Sequence, residues 1–356
     1  MAFLMCIYTI IPIVHGRNIF GFLEYMLLAL IPFLRYSFAT EVYKYFSKIF
    51  IALMIVSLLV WISVIAGIPI PGHTIDPLNE LKTDTIYMAY PFLVMMFKYN
   101  SVFEIVRFCS VFDEPGVIGT ASLIMLYING FNLKKPGNVV LFLSGLASLS
   151  LFFYIGALFY LFFVLYQKKG KIATKIFVVV ACIGLYYAVM NIPELYDLFG
   201  YRLEINEEKG TLAGDTRASA DLVDYMSSIR GTSKYFWGDA VDKIEELSGS
   251  AGYRNVILRF GAVFLFLFSL FWVLYSREVC KKDKFTFWTF IFLFVATMYQ
   301  RPGVVAIDYI FLFSIFFKMR VPQYFIKSEM HESNHNTITV SNSILSINNR
   351  YEDKEF

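Results

Sequence analysis

Two adjacent carboxylates, Asp113 and Glu114, stand directly before Pro115 and Gly116 in the segment Arg107-Phe-Cys-Ser-Val-Phe-Asp-Glu-Pro-Gly-Val-Ile-Gly-Thr120. Proline is favoured at the first helical position, and a carboxylate there complements the helix dipole. Helix capping therefore accounts for the pair at the least. The chemical alternative is general-base work, in which Glu114, with Asp113 beside it, takes a proton from an incoming hydroxyl or holds hydroxyl groups in place.

Arginine offers the second chemistry. Its planar fork grips phosphate oxygens two at a time, where lysine acts as a point charge. Arg17, Arg107, Arg202, Arg217, Arg230, Arg254, Arg259 and Arg301 lie in segments poor in lysine clusters, whereas the lysine-rich segments hold Arg35, Arg277, Arg320 and Arg350. Pairing with nearby Asp and Glu explains any one of them; as a set they point to an anion. In Gly214-Asp215-Thr216-Arg217, Asp215 or Thr216 has the character of an N-cap. Ala218, Leu222, Tyr225, Met226 and Ile229 then form one helical stripe, with Asp221 and Asp224 opposite. That predicts an amphipathic helix. Arg217 would sit in its first turn, where the dipole disfavours a cation unless an anion is near. Arg202 lies in the same loop, which ends on Tyr253-Arg254-Asn255.

Other chemistries find little support. His15 and His73 are the only histidines ahead of the C-terminal tail, and His73 reads best as a turn residue. There is no Ser-His-Asp arrangement, phosphate-binding glycine loop, DxD motif, CxxC or HExxH spacing, so no metal or cofactor site is expected. The scattered cysteines, Cys6, Cys109, Cys182 and Cys280, predict no disulfide. A net charge of +3 gives no footprint for nucleic acid.

The elements that position these residues follow from composition. The chain has 356 residues, 58% hydrophobic, 19% aromatic and only 17% charged, against about a quarter charged in soluble domains. Lipid is needed to cover so much apolar surface. Spans are expected near 2–14, 18–34, 47–68, 116–131, 138–150, 151–166, 174–192, 256–276, 285–300 and 304–319. The first has no basic start or cleavage site and reads as a span, not a signal peptide. Apart from lysines at their ends (Lys48, Lys175 and Lys318), only Glu24, Arg259 and Asp308 interrupt these spans with charge. Residues 138–166 are uncharged, but Lys134 and Lys135 precede them and Lys168, Lys169 and Lys171 follow. Basic residues at both ends on one side require two crossings, with a turn near Ser148 and Ser150.

The same rule puts both termini inside, outer loops at 69–115 and 193–254, and a transmembrane domain over 1–320. Residues 321–356 form a cytoplasmic tail, polar after about 328 and disordered. Residues 85–97 and 101–112 fit a re-entrant or interfacial pair on the outer side, which is favoured, or a transmembrane hairpin placing Lys98 inside. The expectation is an all-α polytopic membrane protein of about 10–11 transmembrane helices with one large outer loop.

The motifs RFCSVFDEPGVIGT (107–120), LASLSLFFYIGAL (146–158), GYRNVILRFG (252–261) and YQRPG (299–303), with the single large outer loop, resemble the O-antigen polymerase (Wzy-type) branch of the O-antigen ligase/polymerase superfamily over roughly residues 20–320. The resemblance implies a GT-C-like fold in the bacterial inner membrane and undecaprenyl-pyrophosphate-linked oligosaccharides as donor and acceptor. It implies no nucleotide sugar, metal or cofactor, and a chain-length regulator and a flippase as possible partners. Arg107, Arg217, Arg254 and Arg301 would engage pyrophosphate, with Arg202, Asp215 and Tyr253 beside them. The ligase relatives place a histidine near the end of the large loop; 193–254 has none, which favours polymerase over ligase. A flippase of lipid-linked sugar is the other alternative.

Overall fold

A computed structural model gives the fold. It describes residues 28, 30–75, 85–98, 107–112, 114–167, 172–193, 196, 200–201, 204–206, 211–212, 220–239, 252–301 and 307–326. The expected span 2–14, most of 18–34 and the tail beyond 326 lie outside these residues.

The chain is mostly helical. Helix α1 runs Tyr36–Ile65, α2 Pro115–Ile128, α3 Pro136–Ala147, α4 Leu151–Gln167 and α5 Ile172–Asn191. Then come α6 Ala220–Ile229, α7 Ser233–Trp237, α8 Gly252–Val279, α9 Lys284–Gln300 and α10 Ile307–Arg320. Prolines set the starts of α2 and α3, each preceded by an extended residue, Glu114 or Lys135. Asp283 caps α9 by accepting the amide of Thr286 at 3.0 Å. Among the described residues, two helices, α1 and α8, are long and apolar enough to cross a membrane. At 30 residues α1 spans roughly 45 Å; α8 runs 28 residues with a break at Gly261.

Helix α2 is the hub. Ile118 and every residue from Ser122 to Ile128 are buried. An aromatic core lies beyond it, where Trp272 of α8 meets Phe290 of α9 at 5.6 Å and Phe313 of α10 at 5.7 Å. By contrast α1 and α5 turn large apolar side chains outward, among them Ile49, Leu59 and Ile62, and Val180, Ile183 and Tyr187. Extended exposed apolar faces of this kind mark contact with lipid or protein.

The break between α3 and α4 falls at residues 148–150, as the flanking lysines predict. Residues 85–98 differ from expectation. They are strands of a four-stranded antiparallel sheet: β1 His73–Ile75, β2 Thr85–Tyr90, β3 Leu93–Lys98 and β4 Arg107–Phe108, in that order. Pro91 and Phe92 make the two-residue turn that pairs Tyr90 with Leu93. Leu93 and Met95 point inward at the period-two spacing of a strand, with Tyr87 buried beside them. The turn is pinned where Ser57 of α1 donates to the Phe92 carbonyl at 2.6 Å. A smaller ribbon pairs β5, Ile205–Asn206, with β6, Thr211–Leu212.

Candidate active site at one end of the bundle

The pieces of the site are gathered by close helix packing. Gly119 of α2 faces Ser148 and Ser150, where any side chain at 119 would strike Ser150. Gly252 opens α8 against the carbonyls of Met298 and Tyr299, a contact only a residue without a side chain permits. The starts of α2 and α8, the end of α9 and the α3–α4 turn therefore converge.

Glu114 holds the N-cap position of α2 with extended backbone, φ −134° and ψ 131°, yet its side chain makes no cap hydrogen bond. Its carboxylate turns instead to Arg301, which follows the last turn of α9. Arg301 Nη1 donates to Glu114 Oε2 at 3.2 Å, and Nε donates to Thr120 Oγ1 at 3.1 Å. Thr120 completes a relay by donating to the Gly116 carbonyl at 2.8 Å. Arg301 is 3% exposed, and its Nη2 has no hydrogen-bond partner among the described residues. The Glu114 side chain keeps 16% exposure. A buried guanidinium with one orphaned nitrogen is costly, and this one lies beside a carboxylate with access to the surface.

Arg107 lies at the same end in a different role. Its Nε and Nη2 donate to the carbonyls of Ser148 and Leu149, each at 3.2 Å. Those are carbonyls that the end of α3 leaves without helical partners. Two nitrogens of the fork that reads from sequence as a phosphate grip thus clamp the α3–α4 turn, whose Leu149 has φ 48°.

Tyr253 and Arg254 sit at the start of α8. The Tyr253 ring stacks on Tyr299 at 6.1 Å, and the Arg254 guanidinium lies 5.5 Å from the centre of the Tyr253 ring. The structure therefore pairs Glu114 with Arg301 and sets Arg107, Tyr253 and Arg254 on the elements that converge at this end. Asp113, Arg202, Asp215 and Arg217 lie outside the described residues. Sequence reading missed Thr120 and Tyr299. Both lie in segments that stand out in the sequence, Thr120 at the end of 107–120 and Tyr299 at the start of YQRPG (299–303), but neither residue type points to the site by itself.

The amphipathic helix of the large loop is present as α6. Leu222 and Ile229 pack on Leu258 of α8 with Tyr225 and Met226 at the edge, and Asp221 and Asp224 face out. Tyr225 donates its hydroxyl to Asp239, which also receives Lys234 Nζ at 3.3 Å. Partial burial, and then the Asp239 carboxylate, push the Tyr225 phenol up to about 12.

No family model, curated protein or solved structure matches this chain.

Proposed function

We propose that this chain is a polytopic membrane protein that joins lipid-pyrophosphate-linked sugar repeat units at the outer face of a bacterial inner membrane. The observation that carries the reading is the Arg301–Glu114 pair. A buried arginine with an orphaned nitrogen suits an anionic leaving group, and the carboxylate beside it suits a sugar hydroxyl. The outward apolar faces of α1 and α5 and the lysine clusters at the loops support a bundle of many spans with this end outside.

The chemistry balances without a metal. The acceptor hydroxyl oxygen forms a bond to the anomeric carbon of the donor. The bond from that carbon to the pyrophosphate oxygen breaks, and its electron pair leaves on pyrophosphate. Arg301, with Arg254, neutralises the charge that develops there. Glu114 accepts the hydroxyl proton, and Arg301 Nη1, 3.2 Å from Oε2, holds its carboxylate in place. A direct displacement inverts the anomeric centre.

Purified protein given synthetic lipid-linked repeat units, with chelator present, is expected to build a ladder of glycans. A strain lacking the gene is expected to display a single repeat unit on its surface lipid. Bare core would indicate a ligase, and units trapped on the inner face a flippase. A ladder abolished by chelation would overturn the mechanism.

A further inference from the structure

Helix α8 is interrupted at Gly261, where φ is 87° and ψ 159°. The short helix α7 fills the break. A side chain at 261 would strike the Phe236 carbonyl, and the Asp239 amide donates to the Leu258 carbonyl at 2.7 Å. Tyr235 of α7 turns inward onto the cluster of Leu222, Ile229 and Leu258. Its neighbours Phe236 and Trp237 are 44% and 49% exposed.

Two limits fix the depth of this junction. Arg277, Lys281 and Lys282 mark the inner end of α8, and the unbroken helix from Gly261 to Arg277 covers roughly 24 Å of about 30 Å of hydrocarbon. Arg259 is exposed on α8, and an exposed guanidinium belongs at the headgroups, not in hydrocarbon. On the same helix Phe266, Val273 and Leu274 are exposed and apolar, seven, fourteen and fifteen residues further on. The boundary between headgroups and acyl chains therefore falls at Arg259–Gly261, the level at which α7 docks. Exposed aromatics at that level belong to the interfacial belt, and the exposed Arg230 and Lys234 suit the headgroup layer just above.

We infer that α7 is an interfacial anchor: Phe236 and Trp237 seat in the outer leaflet at the headgroup–acyl boundary and tie the 220–239 segment to the membrane beside the α8 break. This rests on the multi-span reading above, but not on the reaction assigned to the site.

The test uses the full chain in phosphatidylcholine vesicles whose acyl chains are brominated either near the headgroup or near the methyl end. The Trp237 signal is the fluorescence of the unmodified protein minus that of Trp237→Phe, which keeps an aromatic ring in place. Interfacial seating predicts quenching at least about twofold stronger by shallow than by deep bromine, and protection from aqueous iodide. Quenching by iodide alone, or equal quenching by both lipids, would overturn the anchor. Equal quenching would mean burial in hydrocarbon, and loss of all quenching on self-association would mean that a second copy covers the ring. Protein released from membranes by carbonate would overturn the multi-span reading and the anchor together. A quenching pattern as expected in protein that builds no glycan ladder would leave the anchor standing and remove the polymerase.

Discussion

Arg301 and Glu114, 187 residues apart, meet at 3.2 Å with the arginine almost wholly buried. Removing one partner of such a pair strands a charge, at a cost of about 3–5 kcal/mol when burial is complete. Glu114 retains some solvent, so Arg301→Leu should fall toward the low end of that range. Combining it with Glu114→Gln should cost less than the sum of the singles by roughly 0.5–3 kcal/mol, the coupling expected of groups in contact. Unfolding of the four proteins in a detergent series measures this, and additive losses would show that the pair is not formed.

Activity should separate from stability at the same two positions. Glu114→Gln keeps a hydrogen-bond acceptor for Arg301 but cannot take a proton, so turnover should drop by about 10²–10⁴ while the protein stays folded. Arg301→Lys keeps a charge but not the fork, and should recover only part of the rate lost in Arg301→Leu. Glycan length distributions over a time course give both rates.

Arg107 should behave as a structural residue. Arg107→Ala removes two charge-assisted bonds to the Ser148 and Leu149 carbonyls and should destabilise the fold by roughly 1.5–3 kcal/mol per bond at most. If affinity for the lipid-linked unit falls while thermal stability is unchanged, the clamp is the wrong role.

Gly261→Ala places a side chain in a backbone region open essentially to glycine alone, at a cost of order 1–3 kcal/mol, and against the Phe236 carbonyl. The expected result is release of residues 231–239, read as new cleavage there in limited proteolysis of membrane-embedded protein. Gly67→Ala is a control, because Gly67 also has positive φ but nothing within 4 Å.

Alkaline pH should loosen the same segment. The Tyr225 phenol is raised from its ordinary value of 10 to about 12. A folded value above the unfolded one means the native state holds the proton longer, so stability is fully present below 10 and is lost as pH climbs from 10 toward 12. Tyr225→Phe should flatten the loss of protection at residues 220–239 across that window, as followed by protease protection at several pH values.

Much of the helical layout is legible in the sequence because charge and length are local. The α3–α4 turn follows from lysines on either side of an uncharged run, and α6 from its apolar stripe. The β2–β3 hairpin is not legible in the same way. Its residues are apolar on both faces, so the alternation that betrays a strand is hidden, and the hydrogen bond that holds its turn comes from Ser57 of α1, remote in sequence. At the site, Glu114 and Arg301 can each be singled out, but their meeting depends on how α2 packs beside α9. Arg107 shows the opposite limit: its residue type invites a phosphate, while its neighbours in space are two backbone carbonyls.

Helices of very different length stand side by side in this bundle. Gly137 at the start of the 12-residue α3 lies against Ile51 of the 30-residue α1, setting about 18 Å of helix next to about 45 Å. A bilayer of uniform thickness cannot match both. If the bundle spans as proposed, lipid must thin along the α3 flank while α1 tilts or projects into water, each at a fraction of a kcal/mol per Å of mismatch. The protein would then sort toward, and work best in, membranes built from shorter acyl chains.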